Sequence, residues 1–314
     1  MAWKLNDEVP SARVGPFTAP PVGWKPVAGV ARVHPGRPIA QAKPFVKWVG
    51  GKTQLLSELA PRTWLGGVYY EPFLGGGALF LDRLPTWAAL SDSNERLVRS
   101  YKAVRDEPDR VIDLLKTYSN DADFFEVMRQ RSTVTDLKED VEVAAWFIFL
   151  NRTAFNGLYR VNRQNIFNTP FGRYKNPKIC DEVNLRACSA ALRGTALYCA
   201  SLEEALLRPT EGDFVYCDPP YAPISEAPSF TGYTSKGFGP KDQLRLRDLA
   251  LELKERGVRV LISNSSAPSV WTLYGGGGFR IHEVAASRRI AADPARRGEV
   301  TELLIANYDI RARF

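Results

Sequence analysis

The chain has 314 residues and a mass of 35.0 kDa, with 45% hydrophobic and 25% charged residues and a formal charge of +7 at a pI of about 9.2. That length suits one large domain or a domain carrying an inserted module, and no run of about 18 apolar residues marks a membrane span. The basic balance favours a polyanionic partner without naming one.

Cys180, Cys188, Cys199 and Cys217 show no paired close spacing, and His34 and His282 are the only histidines. No metal site is expected, and the cysteines read as small buried hydrophobes in a reducing compartment. The opening "MAWKLNDEVPSARVG" lacks the charged and then apolar segments of a secretory signal, so cytoplasmic residence is the default.

Residues 1–43 hold seven prolines, six Lys or Arg and two acids, with no sustained apolar period. They read as an irregular extension. Next, "FVKWVGGKTQLL" sets an aromatic, two glycines and Lys52 ahead of an apolar helix. A phosphate-binding P-loop needs an earlier glycine where this chain has Phe45 or Val46, so ATP hydrolysis is not supported. Lys52 is either a site residue or a solvated lysine at a helix entry.

"GVYYEPFL" (67–74) predicts a buried strand, and Gly75, Gly76 and Gly77 then lead into the helical run "ALFLDRL". Glycines there let backbone approach a ligand without a clashing Cβ, although a plain tight turn would use them too. "WAALSDS" predicts a second strand ending at Asp92, 17 residues after Gly75. A carboxylate in that place can accept hydrogen bonds from both ribose hydroxyls of a nucleoside-containing cofactor. "NERLVRSYKAV" then puts Leu97, Val98, Tyr101 and Val104 on one helical face.

Between about 118 and 200 the alternation breaks into helical pieces and an irregular basic loop. Residues 151–180 contain six Lys or Arg, five Phe or Tyr and no acid, the composition of a nucleic-acid surface. The alternation resumes with the strand "DFVYCD", a Leu-rich helix over about Gln243 to Arg256, the strand "VRVLISN" (258–264) and a further strand in "TELLIANYD". The fold class expected is therefore α/β, a doubly wound sheet with an inserted, mainly helical module.

The stretch "VYCDPPYAP" (215–223) places Asp218 at the carboxyl end of a strand, where ligands of open α/β sheets bind. Pro219 and Pro220 stiffen the corner, and Tyr221 offers a flat face. A carboxylate and a proline carbonyl converging there can accept the protons of an exocyclic NH₂ while the ring stacks on the base. An Asp-Pro turn alone would explain Asp218 and one proline, but not all four residues beside a nucleoside pocket.

These residues resemble the D-P-P-Y motif of amino-methyltransferases. Together with "KWVGGK", "EPFLGGGALF" and "SDSN", in that order over about residues 44–309, they resemble the alpha-group, Dam-type DNA adenine methyltransferases. The resemblance implies a Rossmann-like methyltransferase sheet with a target-recognition insert, S-adenosyl-L-methionine as cofactor and double-stranded DNA as partner, with no metal and no membrane. Cofactor contacts are implied at Trp48, Lys52, Phe73, Gly75, Asp92 and Asp218, and catalytic roles at Asp218, Pro219 and Tyr221.

In the insert, "NGLYRVN" and "FNTPFGRY" are similar to the recognition loop and hairpin of enzymes that methylate adenine in GATC. By position, Phe155 matches a wedge residue, Asn156 a contact to the flipped pair, Arg160 a guanine-reading arginine, and Pro170 and Tyr174 base contacts. Phe155 stands where a tyrosine is expected, which keeps stacking and loses a hydroxyl. The domain expectation is an extension over 1–43, a catalytic domain over 44–117 and 201–314, and a target-recognition insert over 118–200, in a monomer. The competing readings are methylation of the cytosine exocyclic amine and a DNA-binding module that keeps only the fold.

Overall fold

The computed structural model describes residues 42–131, 135–224, 238–287, 299–311 and 314. The expected extension therefore lies outside the described residues except for Ala42 and Lys43. Helices of the described residues are α1 (Leu56–Leu59), α2 (Ala78–Arg83), α3 (Glu95–Asp106), α4 (Pro108–Lys116), α5 (Ala122–Gln130), α6 (Asp140–Thr153), α7 (Glu182–Leu192), α8 (Leu202–Leu206), α9 (Pro240–Glu255) and α10 (Pro268–Tyr274). The strands are β1 (Tyr69–Glu71), β2 (Ala88–Asp92), β3 (Ala196–Cys199), β4 (Phe214–Cys217), β5 (Arg259–Ser265), β6 (Arg280–Ser287) and β7 (Glu299–Ala306).

These strands form one sheet in the order β3-β2-β1-β4-β5-β7-β6. The first five are parallel; β7 runs antiparallel between β5 and β6. Both faces of the sheet are covered, which is why its central strands read as continuous apolar runs. Along β4, Phe214 and Tyr216 enter one buried cluster while Val215 and Cys217 enter the other. Tyr69 and Tyr70 of β1 divide in the same way.

Connections from β1 run outward through β2 to β3, and those from β4 run the opposite way through β5. The order reverses between β1 and β4, and a crevice opens beyond the carboxyl ends of strands at such a switch point. Residues just after β1 and β4, the glycine turn and Asp218, border it.

Most predicted elements appear. β2 ends at Asp92, and Leu97, Val98, Tyr101 and Val104 of α3 are all buried. The first predicted strand is shorter than 67–74, because Pro72 has no N–H for the ladder. Strands β3 and β6 were not expected. The segment 118–200 contains α5, α6 and α7 together with β3, which pairs with β2 in the main sheet. Helix α6 is buried on almost every side and packs against α3 and α4 within the larger core.

Candidate active site

Lys52 opens the 3-10 turn Lys52–Leu55 and is buried. Its Nζ donates to the Gly50 carbonyl at 2.5 Å and to Asp218 Oδ2 at 2.7 Å. Asp218 Oδ1 lies equally close, at 2.7 Å, but without hydrogen-bond alignment, so this buried oxygen has no donor. The ammonium also sits 4.7 Å from the centre of the Tyr221 ring. Burial pushes the Asp218 carboxyl up to about 6, against the lowering by Lys52; the Glu302 carboxylate adds to the rise.

The corner after Asp218 is clamped from three other elements. Gln243 of α9 donates to the Pro220 carbonyl at 2.9 Å, and the Ala222 N–H donates to Asn264 Oδ1 at 3.1 Å. Ser265 Oγ donates to the Ala222 carbonyl at 2.6 Å, and Asn264 donates to Gln243 at 2.9 Å. The Tyr221 hydroxyl donates to Glu302 Oε2 on β7 at 2.5 Å. Sequence reasoning missed Gln243, Asn264, Ser265 and Glu302. The available signal was polar residues at the end of the apolar run of β5.

On the β1–β2 side, Asp92 Oδ2 accepts from the Gly75 N–H at 3.0 Å and Oδ1 from the Asn94 N–H at 2.9 Å. Loss of solvent raises its carboxyl, opposed by these backbone donors. Gly75 has a φ of 47°, and a Cβ there would lie 2.6 Å from Trp48 Cδ1. The space that the missing Cβ leaves is filled by the indole of Trp48, itself one of the residues expected at the cofactor. Trp48 in turn stacks on Phe147 at 6.3 Å and Tyr159 at 5.8 Å. Phe73 meets Phe238 edge-on at 5.6 Å.

A further acid, Glu71, ends β1 and was not anticipated. It accepts from the Tyr69 hydroxyl at 2.8 Å, and burial pushes its carboxyl up to about 8, with Asp218 and Asp92 adding to the rise. Three carboxyls and one lysine thus border the crevice.

The basic insert meets this site through residues 45–48. Asn151 accepts from the Lys47 N–H at 2.6 Å and donates to the Lys47 and Gly157 carbonyls at 2.8 and 2.9 Å. Lys47 Nζ lies 5.2 Å above the Tyr174 ring, and its stem occupies the space that a Cβ at Gly157 (φ 65°) would need. Phe155 is exposed, with its N–H donating to the Pro170 carbonyl at 2.8 Å; the Asn156 N–H donates to the Tyr174 hydroxyl at 2.9 Å. Four of the five predicted recognition residues are therefore gathered into one patch, to which Lys47 adds a cation. The fifth, Arg160, donates to Asn168 Oδ1 at 2.7 Å and to the Asn168 carbonyl at 3.1 Å, the two residues flanking the bridge between Val161 and Phe167.

Among the described residues no group of three or more His, Cys, Asp or Glu is arranged to hold a metal, and no helix is long and apolar enough to cross a membrane. All four cysteines are free; Cys188 and Cys217 are buried, but Cys180 is half-buried and Cys199 exposed, because β3 is the edge of the sheet.

The family described as D12 class N6 adenine-specific DNA methyltransferase matches residues 48–290. A type II methyltransferase, M1.LlaDCHI of Lactococcus lactis subsp. cremoris, is 42% identical over 275 residues, covering 85% of this chain and 95% of the relative. The type II methyltransferase M.MjaIII of Methanocaldococcus jannaschii is 38% identical over 290 residues, covering 85% of this chain and 100% of the relative. The DNA adenine methylase of Escherichia coli is 33% identical over 264 residues, covering 83% and 93%. These likenesses decide for an enzyme over a bare binding module, and for adenine over the cytosine amine. With the family match spanning most of the sheet and the corner at Asp218, the chain belongs to the D12 class of N6 adenine-specific DNA methyltransferases.

Proposed function

We propose that this adenine-specific DNA methyltransferase takes its methyl group from S-adenosyl-L-methionine and delivers it to a flipped-out adenine, in the sequence GATC. The observation that carries the reading is Asp218 Oδ1, a buried acceptor without a donor, beside a lysine and a tyrosine face. An exocyclic amine supplies the missing N–H.

The residues fit the cofactor. Asp92 terminates its strand with a carboxylate suited to ribose hydroxyls, and Asp218 is the charged carboxylate that a sulfonium cofactor would find at the crevice, Glu71 staying protonated beside it. When bound, the cofactor supplies a methyl group whose bond to sulfur breaks as the amine lone pair forms the new bond to carbon. Asp218 orients that lone pair by holding an amine proton, which leaves along the same hydrogen bond. Tyr221 stacks on the base, and the Pro219–Ala222 backbone is held by Gln243, Asn264 and Ser265 so that neither group must reorganise.

An adenine amine is paired inside a duplex, so the base must leave the stack. The exposed Phe155 is a wedge for the gap, with Asn156, Pro170 and Tyr174 beside it and Arg160 reading guanine. Residues 118–200 are then the recognition insert, which also lends β3 to the catalytic sheet of 44–117 and 201–314. The test is to map methylated adenines in DNA from cells expressing the wild-type chain or Asp218→Ala. Methylation of GATC by the wild type alone is expected; a different methylated sequence would overturn the assigned target.

A further inference from the structure

We propose that Glu302 is a positioning residue for methyl transfer, acting through the Tyr221 hydroxyl to set the ring plane and to keep negative charge behind it. The inference rests on the reading that Tyr221 faces the target base. Glu302 lies on β7 in register with Ser265 of β5 and with Val284 of β6, while Tyr221 follows β4, 81 residues earlier. Their hydrogen bond is short, at 2.5 Å, as expected for a phenol donating to a carboxylate.

The tyrosine backbone is already pinned by the two prolines before it and by Gln243, Asn264 and Ser265. What remains free is the swing of the ring about its two side-chain torsions, and the bond from the hydroxyl to Glu302 removes it. A carboxylate at the phenol oxygen also pushes electron density into the ring, and the opposite effect of a cation is felt on the ring face, where Lys52 Nζ sits 4.7 Å from the centroid. During transfer the acceptor amine becomes cationic beside the same ring.

A carboxylate at this position has a cost, because its charge opposes ionisation of Asp218. A glutamine would satisfy the hydroxyl without that penalty. The charge is therefore better explained by what it does to the ring than by the packing of β7, whose strand pairing is made by backbone alone.

The test measures single-turnover methyl transfer to an adenine duplex at saturating cofactor for Glu302→Gln, Glu302→Leu, Tyr221→Phe, Tyr221→Ala and the double variant Tyr221→Phe with Glu302→Gln. Glu302→Gln is expected to slow transfer about tenfold with unchanged duplex affinity, and Tyr221→Phe to slow it at least as much. Adding Glu302→Gln to Tyr221→Phe should cost nothing more, because the hydroxyl through which Glu302 acts is gone. The acidic limb of the rate should also move to lower pH in Glu302→Gln, a change that a packing role would not produce. Thermal unfolding midpoints identify any variant that fails to fold, and Glu302→Gln, nearly isosteric, keeps the test decisive if Glu302→Leu does. Full rate in Glu302→Gln, or losses that multiply in the double variant, would overturn the proposal. If instead Tyr221→Ala keeps full rate, the placement of Tyr221 against the base fails, a separate outcome from a slow Tyr221→Ala with a normal Glu302→Gln.

Discussion

Replacing Lys52 with methionine removes the cation that offsets the burial of Asp218 and keeps the length of the side chain. In the wild type the Asp218 carboxyl sits at about 6, so at pH 7 about nine-tenths of it is ionised. The ammonium is 2.7 Å away and both groups are largely buried. Loss of an opposite charge this close raises a carboxyl by about 1–3 units, here to about 7–9. The ionised fraction at pH 7 then falls to between about one half and one hundredth, and transfer slows about 2- to 100-fold.

The assay is kcat/KM for duplex methylation from pH 5 to 9.5, which reads groups of the free enzyme. Lys52→Met should shift the acidic limb upward by about 1–3 units and recover part of its rate above pH 9. Stability follows the same sign. With a folded value above the unfolded one, the contribution of Asp218 is fully present below the unfolded value of 3.8 and is lost as pH rises through about 6; the loss is about 3 kcal/mol. Lys52→Met should carry that loss to higher pH. An unshifted acidic limb in the variant, or a rate loss equal at every pH, would refute the electrostatic role and leave Lys52 as an anchor for the Gly50 turn.

Asp92→Ala strips the acceptor from the Gly75 and Asn94 N–H groups and from the ribose, and should weaken S-adenosyl-L-methionine about 10- to 100-fold by calorimetry; unchanged affinity would refute the pocket. Glu71 holds its proton at pH 7, so its contribution is present below 4.5 and lost as pH rises through about 8, a slope of about 1.4 kcal/mol per unit. Glu71→Gln should flatten the dependence of stability on pH over that window, and an unchanged slope in denaturant titrations would show the carboxyl to be ionised. Arg160→Ala should relax discrimination at a guanine of the site by about 1–3 kcal/mol, compared on GATC and guanine-substituted duplexes. An equal loss on all duplexes would make it a phosphate contact, the behaviour expected of Lys178, which the structure pairs with Asp181 at 2.8 Å.

The features legible in the sequence are those whose physics is local. Asp92 could be placed at a strand end because the apolar run Trp87-Ala88-Ala89-Leu90 precedes polar residues, and α3 because its apolar residues recur at helical spacing. The Asp-Pro-Pro-Tyr corner carries its stiffness in its own covalent structure, so its chemistry could be argued before its surroundings were known. The acid-free, aromatic-rich run 151–180 likewise pointed to DNA by composition.

What the sequence could not determine depends on which strand lies beside which. Edge strands β3 and β6 have only one strand neighbour each, and their mixed polarity left no clear pattern. Gly75 could be read as a bare turn, but that Trp48 fills its open side follows from bringing residues 27 apart together. Gln243, Asn264 and Glu302 reach the corner from 23, 42 and 81 residues away, and they converge on it only because β4 pairs with β5 and β7 is threaded antiparallel beside β5. A single sequence carries hydrophobic period and turn chemistry residue by residue; the pairing that delivers a carboxylate to the Tyr221 hydroxyl is set by the burial of both sheet faces, and so exists only in the folded chain.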